Sequence, residues 1–139
     1  MKTITITGRY ENLEKIAEFV REIAQQAGLD NFAVYSIETA VEEACTNIID
    51  HAYGGEGKGN IECDCAVDEE GLTIQLRDKG KPFNPEKVLA PDTKAPLYKR
   101  KSHGLGLFMM RKWMDDVRFE FNGDSGNILT MVKYREPKP

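Results

Sequence analysis

The sequence predicts a two-layer α/β (α+β) sandwich: a mixed, mostly antiparallel sheet with its helices on one face. Three observations predict it. Two helical periods follow a short amino-terminal strand, two pairs of alternating strands come after them, and a glycine-containing turn joins each pair. The first strand is Thr3–Thr7, where Ile4 and Ile6 share one face. From Glu11 to Ala27, Leu13, Ile16, Ala17, Val20, Ile23, Ala24 and Ala27 recur at helical spacing, and Gly28 supplies the stop. Asp30 or Asn31 can cap a second helix running to about Tyr53, closed by the "GGEGKG" of Gly54–Gly59. Strands Asn60–Val67 and Leu72–Arg77 follow, joined by an acidic turn ending in Gly71. A helix from about Gly106 to Met114 precedes a last hairpin, Asp116–Phe121 and Ile128–Tyr134, around "NGDSGN". The expectation is one domain over residues 1–135 and a disordered tail, Glu136–Pro139.

Composition bounds the function. The chain has 139 residues, 40% hydrophobic and 30% charged, which suits one soluble globular domain whose core needs no staples. Its net charge of −4 argues against nucleic acid or an anionic membrane as partner. No apolar run approaches membrane-spanning length, and Met1–Thr7 alternates as a strand rather than reading as a signal peptide. The expected location is the cytoplasm. Cys63 and Cys65 sit two apart in "IECDCAV" and face one way in a strand; without a second ligand pair they read as small buried hydrophobes, not metal ligands.

One segment breaks the periodic pattern. Lys79–His103 spans 25 residues without a clear period and holds four of the six prolines. A stretch of that length inside a compact domain marks a lid, a binding loop or disorder. It carries seven Lys or Arg (Lys79, Lys81, Lys87, Lys94, Lys99, Arg100 and Lys101) against Glu86 and Asp92. A cationic loop on an acidic body suits closure over an anionic ligand, with a solvated surface loop as the plainer reading.

Three other places can carry chemistry. On the second helix, Ile37, Val41, Ala44, Cys45 and Ile48 form an apolar arc, and Ser36, Ala40, Glu43, Asn47 and Asp50 run along one edge of it. Glu43 and Asn47 are one turn apart and so are neighbours. They can jointly hold a hard cation through oxygen, or one can hold the cation while the other handles a proton. Incidental polar residues on a surface helix would look the same. In "LRDKGKPFN" a strand runs straight into Asp78. A carboxylate there can accept a hydrogen bond from an exocyclic amine, and Gly80 lets a flat ring approach the backbone; an ordinary Asp-Gly turn is the simpler alternative. In "SHGLGLFMMRKWMDD", Gly104 and Gly106 bracket Leu105 and open an amphipathic helix whose first N–H groups suit a phosphate. Arg111 and Lys112 read as that helix's solvated face and Trp113 as a packing residue.

Taken in order, these elements resemble the GHKL, or Bergerat-fold, ATPases. "EEACTN" matches the Glu-x-x-x-Asn of the N box, "DKG" the Asp-x-Gly box and "HGLGL" the Gly-x-Gly box. Within that superfamily, "EACTNIIDHAY", "RDKGKPF", "GLGLFMMRKWMDDVRFE" and the ending "ILTMVKY" resemble the anti-sigma-factor serine/threonine protein kinases, over roughly Thr3 to Tyr134. The resemblance implies the Bergerat fold, with ATP and Mg²⁺ as cofactors. It makes Glu43 the general base that accepts a proton from a serine or threonine hydroxyl, and Asn47 the ligand of a Mg²⁺ bridging the ATP phosphates. Asp78 would accept the adenine amino hydrogen, with Gly80 beneath the ring. Gly104, Leu105 and Gly106 would form the phosphate turn, under a lid of residues 79–103. Such kinases have a last-strand threonine near the adenine, and Thr130 is the one available here. His103 stands as a phosphate contact or a hinge position, and His51 as an ordinary helix histidine.

The implied partners are a small STAS-type anti-sigma-factor antagonist, as phosphoryl acceptor, and a sigma factor. Relatives of this kind commonly form homodimers, and Leu129 and Met131, alternating to the face opposite Ile128 and Thr130, would give the sheet an apolar outer patch, with ordinary core or scattered surface residues as the plainer reading. Histidine kinases and gyrase-like ATPases fit less well, since the first need a dimerisation helix bearing the phosphorylated histidine and the second a transducer domain. The competing function is an ATP-dependent regulatory binding module without phosphotransfer, in which ATP only sets the shape that a partner recognises.

Overall fold

Apolar residues at every second position build a sheet face, and those at every third and fourth build the helices that cover it. The computed structural model describes residues 1–85 and 110–136. In chain order come β1 (Lys2–Thr7), a 3₁₀ turn (Tyr10–Asn12), α1 (Leu13–Gln26), α2 (Asn31–Asn47), a π-helical turn (Ile48–Ala52), β2 (Asn60–Val67), β3 (Gly71–Asp78), β4 (Asp116–Phe121) and β5 (Asn127–Tyr134). The strands form one sheet in the order β1-β2-β3-β5-β4. All four pairings are antiparallel, so the expected sandwich has no parallel pair among the described strands. Of the expected Gly106–Met114 helix, residues 110–113 are helical. Its earlier part, the lid beyond residue 85 and the tail from residue 137 lie outside the described residues.

Burial follows the alternation. Ile61, Cys63 and Cys65 of β2, then Leu72, Ile74 and Leu76 of β3, are buried against Ile16, Val20 and Ile23 of α1, Ile37 and Val41 of α2 and Ile48 of the π-helical turn. The register sets Leu129 beside Leu76 and Met131 beside Ile74, which carries both into this core. They therefore do not make the outer apolar patch expected from the sequence. Alternation says that the two share a face; only pairing with β3 says which. The outer face is polar instead. Asp64 accepts a hydrogen bond from Thr3 Oγ1 (2.7 Å) and pairs with Arg77 Nε (3.2 Å), while Gln75 Nε2 donates to Thr130 Oγ1 (3.2 Å). No helix among the described residues is long and apolar enough to cross a membrane.

The helix ends position the site. Asp30 caps α2, its Oδ1 accepting the Ala33 N–H at 2.8 Å. α1 ends in a two-bond turn: Gly28 N–H donates to the Gln25 carbonyl (3.0 Å) and Leu29 N–H to that of Ala24 (3.2 Å). The turn requires the left-handed region at Gly28 (φ +82°), where a Cβ would meet nothing within 4 Å. Backbone strain is then the whole cost of a side chain there. Gly28→Ala is expected to lower stability by about 1 kcal/mol, a fall of about 3–5 °C in Tm, measured by thermal melts followed by circular dichroism.

Candidate active site

The polar edge of α2 reaches, at Asn47, a cleft of about 380 Å³, open to solvent, walled by Ala44, Asn47, Ile48, Asp78, Phe83, Met110, Phe119, Asn127, Ile128 and Leu129. Asn47 is 2% exposed, yet its Oδ1 has no hydrogen-bond partner among the described residues, and neither does the buried Oε1 of Glu43 one turn earlier. An unsatisfied buried polar atom costs on the order of 1–3 kcal/mol, so two neighbouring ones mark a place meant for a polar or cationic ligand. The Glu43 carboxyl is pushed up to about 7, first by burial and then by the Asp50 carboxylate. Asp50 in turn accepts the Tyr10 hydroxyl, and that bond is the main reason the Tyr10 phenol rises to about 12. Glu42 is half-buried, and burial raises its carboxyl first, with the charges of Glu14 on α1 and Glu38 on α2 adding to the rise and Arg21 opposing it.

The opposite wall is built by strand period. Leu72, Ile74 and Leu76 face the helices, so Asp78 faces the same way, just past the end of the core, and is 6% exposed. Burial raises its carboxyl above the usual range, against the opposing effect of two hydrogen bonds on Oδ1, from Asn127 Nδ2 (2.8 Å) and the Gly80 N–H (2.9 Å). Gly80 has no room for a side chain, because a Cβ would stand 2.6 Å from the Ala52 carbonyl carbon and oxygen. Ala52 closes the π turn, whose widened register is marked by the Tyr53 N–H reaching back five residues to the Ile48 carbonyl (2.9 Å). The Lys81 N–H donates to the Ala52 carbonyl (2.8 Å), and the Tyr53 hydroxyl accepts the Lys79 N–H (2.9 Å). These contacts tie the helix end to the strand end.

The structure thus brings Asn47 and Asp78 to one cleft, with Gly80 hydrogen-bonded to Asp78 and Asn127 beside it and Glu43 one turn back on its helix edge. Gly104, Leu105, Gly106 and His103 lie outside the described residues. Thr130 is not brought to the cleft: period two turns it to the outer face, where it bonds Gln75. The residue of β5 that lines the cleft beside Asp78 is instead Asn127, which sequence reasoning missed although it alternates with Leu129 and Met131 and stands directly opposite Asp78. His51 packs on Phe83 (5.7 Å between centroids), and Trp113 packs on Phe32 (5.6 Å) and Tyr35 (6.2 Å). Among the described residues, no group of three or more His, Cys, Asp or Glu side chains could hold a metal ion. A cation here would rest on few protein oxygens, Asn47 Oδ1 foremost, with the ligand supplying the others, as Mg²⁺ sites at phosphates are built.

The Glu43 shift has a stability consequence. A carboxyl whose folded pKa lies above its ordinary 4.5 disfavours the folded state once ionised, so stability falls as pH rises from about 4.5 to about 7 and is level above that. Glu43→Gln removes this term. The variant is expected to gain about 1 kcal/mol over the wild type at pH 8 relative to pH 5, after discounting for the exposed half of the residue, in urea unfolding at the two pH values.

A family model for the histidine kinase-like ATPase domain matches residues 6–133. The serine-protein kinase RsbW of Halalkalibacterium halodurans is 34% identical over 135 residues, 94% of this chain and 81% of that protein. The serine-protein kinase RsbW of Bacillus velezensis is 34% identical over 116 residues, 81% of this chain and 71% of that protein. The crystal structure of the RsbU and RsbW domains of a Mycobacterium tuberculosis protein matches with a TM-score of 0.64 at 18% identity, covering 96% of this chain and 32% of that one, a likeness of fold. The chain belongs to the histidine kinase-like ATPase domain family, of the GHKL superfamily, and within it to the RsbW-type serine-protein kinases, the ATP-dependent anti-sigma-factor kinase group.

Proposed function

We propose that this chain transfers the γ-phosphoryl group of ATP to a serine hydroxyl of a small STAS-type anti-sigma-factor antagonist, and that a sigma factor is its second partner. The observation that carries the proposal is the pair of unpartnered buried oxygens, Glu43 Oε1 and Asn47 Oδ1, on the helix edge facing Asp78. In this reading Asp78 accepts the adenine amino hydrogen, with Gly80 beside the ring. Asn47 would hold Mg²⁺, and the Gly104-Leu105-Gly106 motif, outside the described residues, is assigned to the phosphates from its sequence alone. Bound Mg²⁺ neutralises charge on the transferring phosphates.

The protein's own part in the chemistry is positioning and one proton. The serine oxygen bonds to the γ-phosphorus while its proton passes to the Glu43 carboxylate. The bond from the γ-phosphorus to the bridging oxygen breaks, and its electron pair leaves with ADP. A base must be ionised to accept a proton, so a carboxyl held at about 7 is half-available at neutral pH and fully available above it. An ordinary carboxylate would be ionised across this range but would be a weaker base.

Incubating the protein with labelled ATP, Mg²⁺ and a STAS-type antagonist is expected to label a serine of the antagonist. The kcat/KM of that transfer is expected to rise with pH through about 7 and then level off. Glu43→Gln is expected to lower it by about 10²–10⁴-fold and to abolish the rising limb. Undiminished transfer by that variant would refute the assigned base. ATP binding without transfer to any acceptor would point instead to the ATP-dependent regulatory binding module.

A further inference from the structure

We propose that Asn127 sets the base selectivity of the cleft, by holding Asp78 with one carboxylate oxygen occupied and the other left to accept the exocyclic amine of the bound purine. The inference deepens the ATP reading above and rests on it. Asn127 is directly opposite Asp78 in the β3–β5 register, is 6% exposed and lines the same cleft. Its Nδ2 donates to Asp78 Oδ1 at 2.8 Å and to the Gly80 carbonyl at 3.1 Å. A carboxamide nitrogen carries two hydrogens, so both are spent inside the protein. Asp78 Oδ1 also accepts the Gly80 N–H at 2.9 Å. Two donors on Oδ1 leave the acceptor capacity of Oδ2 for the ligand.

Selectivity then follows from the sign of what the cleft offers. Adenine presents a donor, its amine, and gains a hydrogen bond from Asp78. Hypoxanthine presents a carbonyl oxygen at the same position, which meets a carboxylate and gains nothing. A loose asparagine amide could turn and donate to that carbonyl; the bonds to Asp78 and Gly80 prevent the turn. The Asn127 bond also works against the burial that pushes the Asp78 carboxyl up, and so favours the ionised acceptor over a protonated form that could donate to a carbonyl. Asn127 is in this sense a positioning residue, acting through Asp78.

The test is calorimetric titration of the full chain with ATP and with inosine triphosphate, each with Mg²⁺. The wild type is expected to prefer ATP. Asn127→Leu, of nearly the same shape, is expected to weaken ATP by about 10–100-fold and inosine triphosphate much less, so that the preference falls. Asn127→Ser, which keeps a donor, is expected to retain part of the preference. In an Asp78→Asn background, Asn127→Leu is expected to remove no further preference, a non-additivity that general loosening of the fold would not produce. Should the leucine variant not fold, Asn127→Asp serves in its place. A preference within about twofold of wild type in the leucine or aspartate variant overturns the inference, as does a wild type that binds both nucleotides equally. A wild type that binds neither overturns the ATP reading beneath it.

Discussion

Two oxygen atoms on the edge of α2, Glu43 Oε1 and Asn47 Oδ1, are buried without partners among the described residues, and the candidate site is built beside that deficit. The core bears the cost because the other face of α2 packs fully: Ile37, Val41 and Cys45 are at 0% exposure. Apolar burial on one side of the helix thus holds polar groups in an unfavourable but useful position on its edge. The raised Glu43 carboxyl is a second expression of the same burial, reinforced by Asp50.

A helix edge and a strand end can cooperate only if their separation is fixed. Here the joint is made of backbone. The π turn brings the Ala52 carbonyl to the Lys81 N–H, Gly80 lies against Ala52 where no side chain fits, and the Tyr53 hydroxyl accepts from Lys79 while donating to the Asn60 carbonyl. These groups belong to α2's continuation, β2 and the segment after β3. Movement of Asp78 relative to Asn47 would have to break several of them together, and so the two walls of the cleft are held as one unit.

What the sequence made legible follows from the range of the interactions concerned. The apolar arc of α2 and its polar edge depend on one local period, and Ile37, Val41, Ala44, Cys45 and Ile48 are all buried as that period requires. Asp78 was legible for a similar reason, as the residue where an alternating strand stops. The π turn was not, because one extra residue per turn scarcely disturbs the apolar spacing from Ile48 to Ala52. β5 was ambiguous in a different way. It has apolar residues on both faces, Ile128 and Val132 on one and Leu129 and Met131 on the other, so alternation alone assigns no inside. Pairing with β3 decides it, across about fifty residues of chain, and the same pairing selects Asn127 and turns Thr130 away.

Trp113 is the single tryptophan of the chain, and its indole packs against Phe32 and Tyr35 at the amino-terminal end of α2. Three residues earlier on the same helical turn, Met110 forms part of the cleft wall. The chain therefore carries its one indole within a helical turn of the candidate cleft but outside it. A ligand that displaced Met110 would disturb the packing of that indole, and intrinsic emission would then report it without a label.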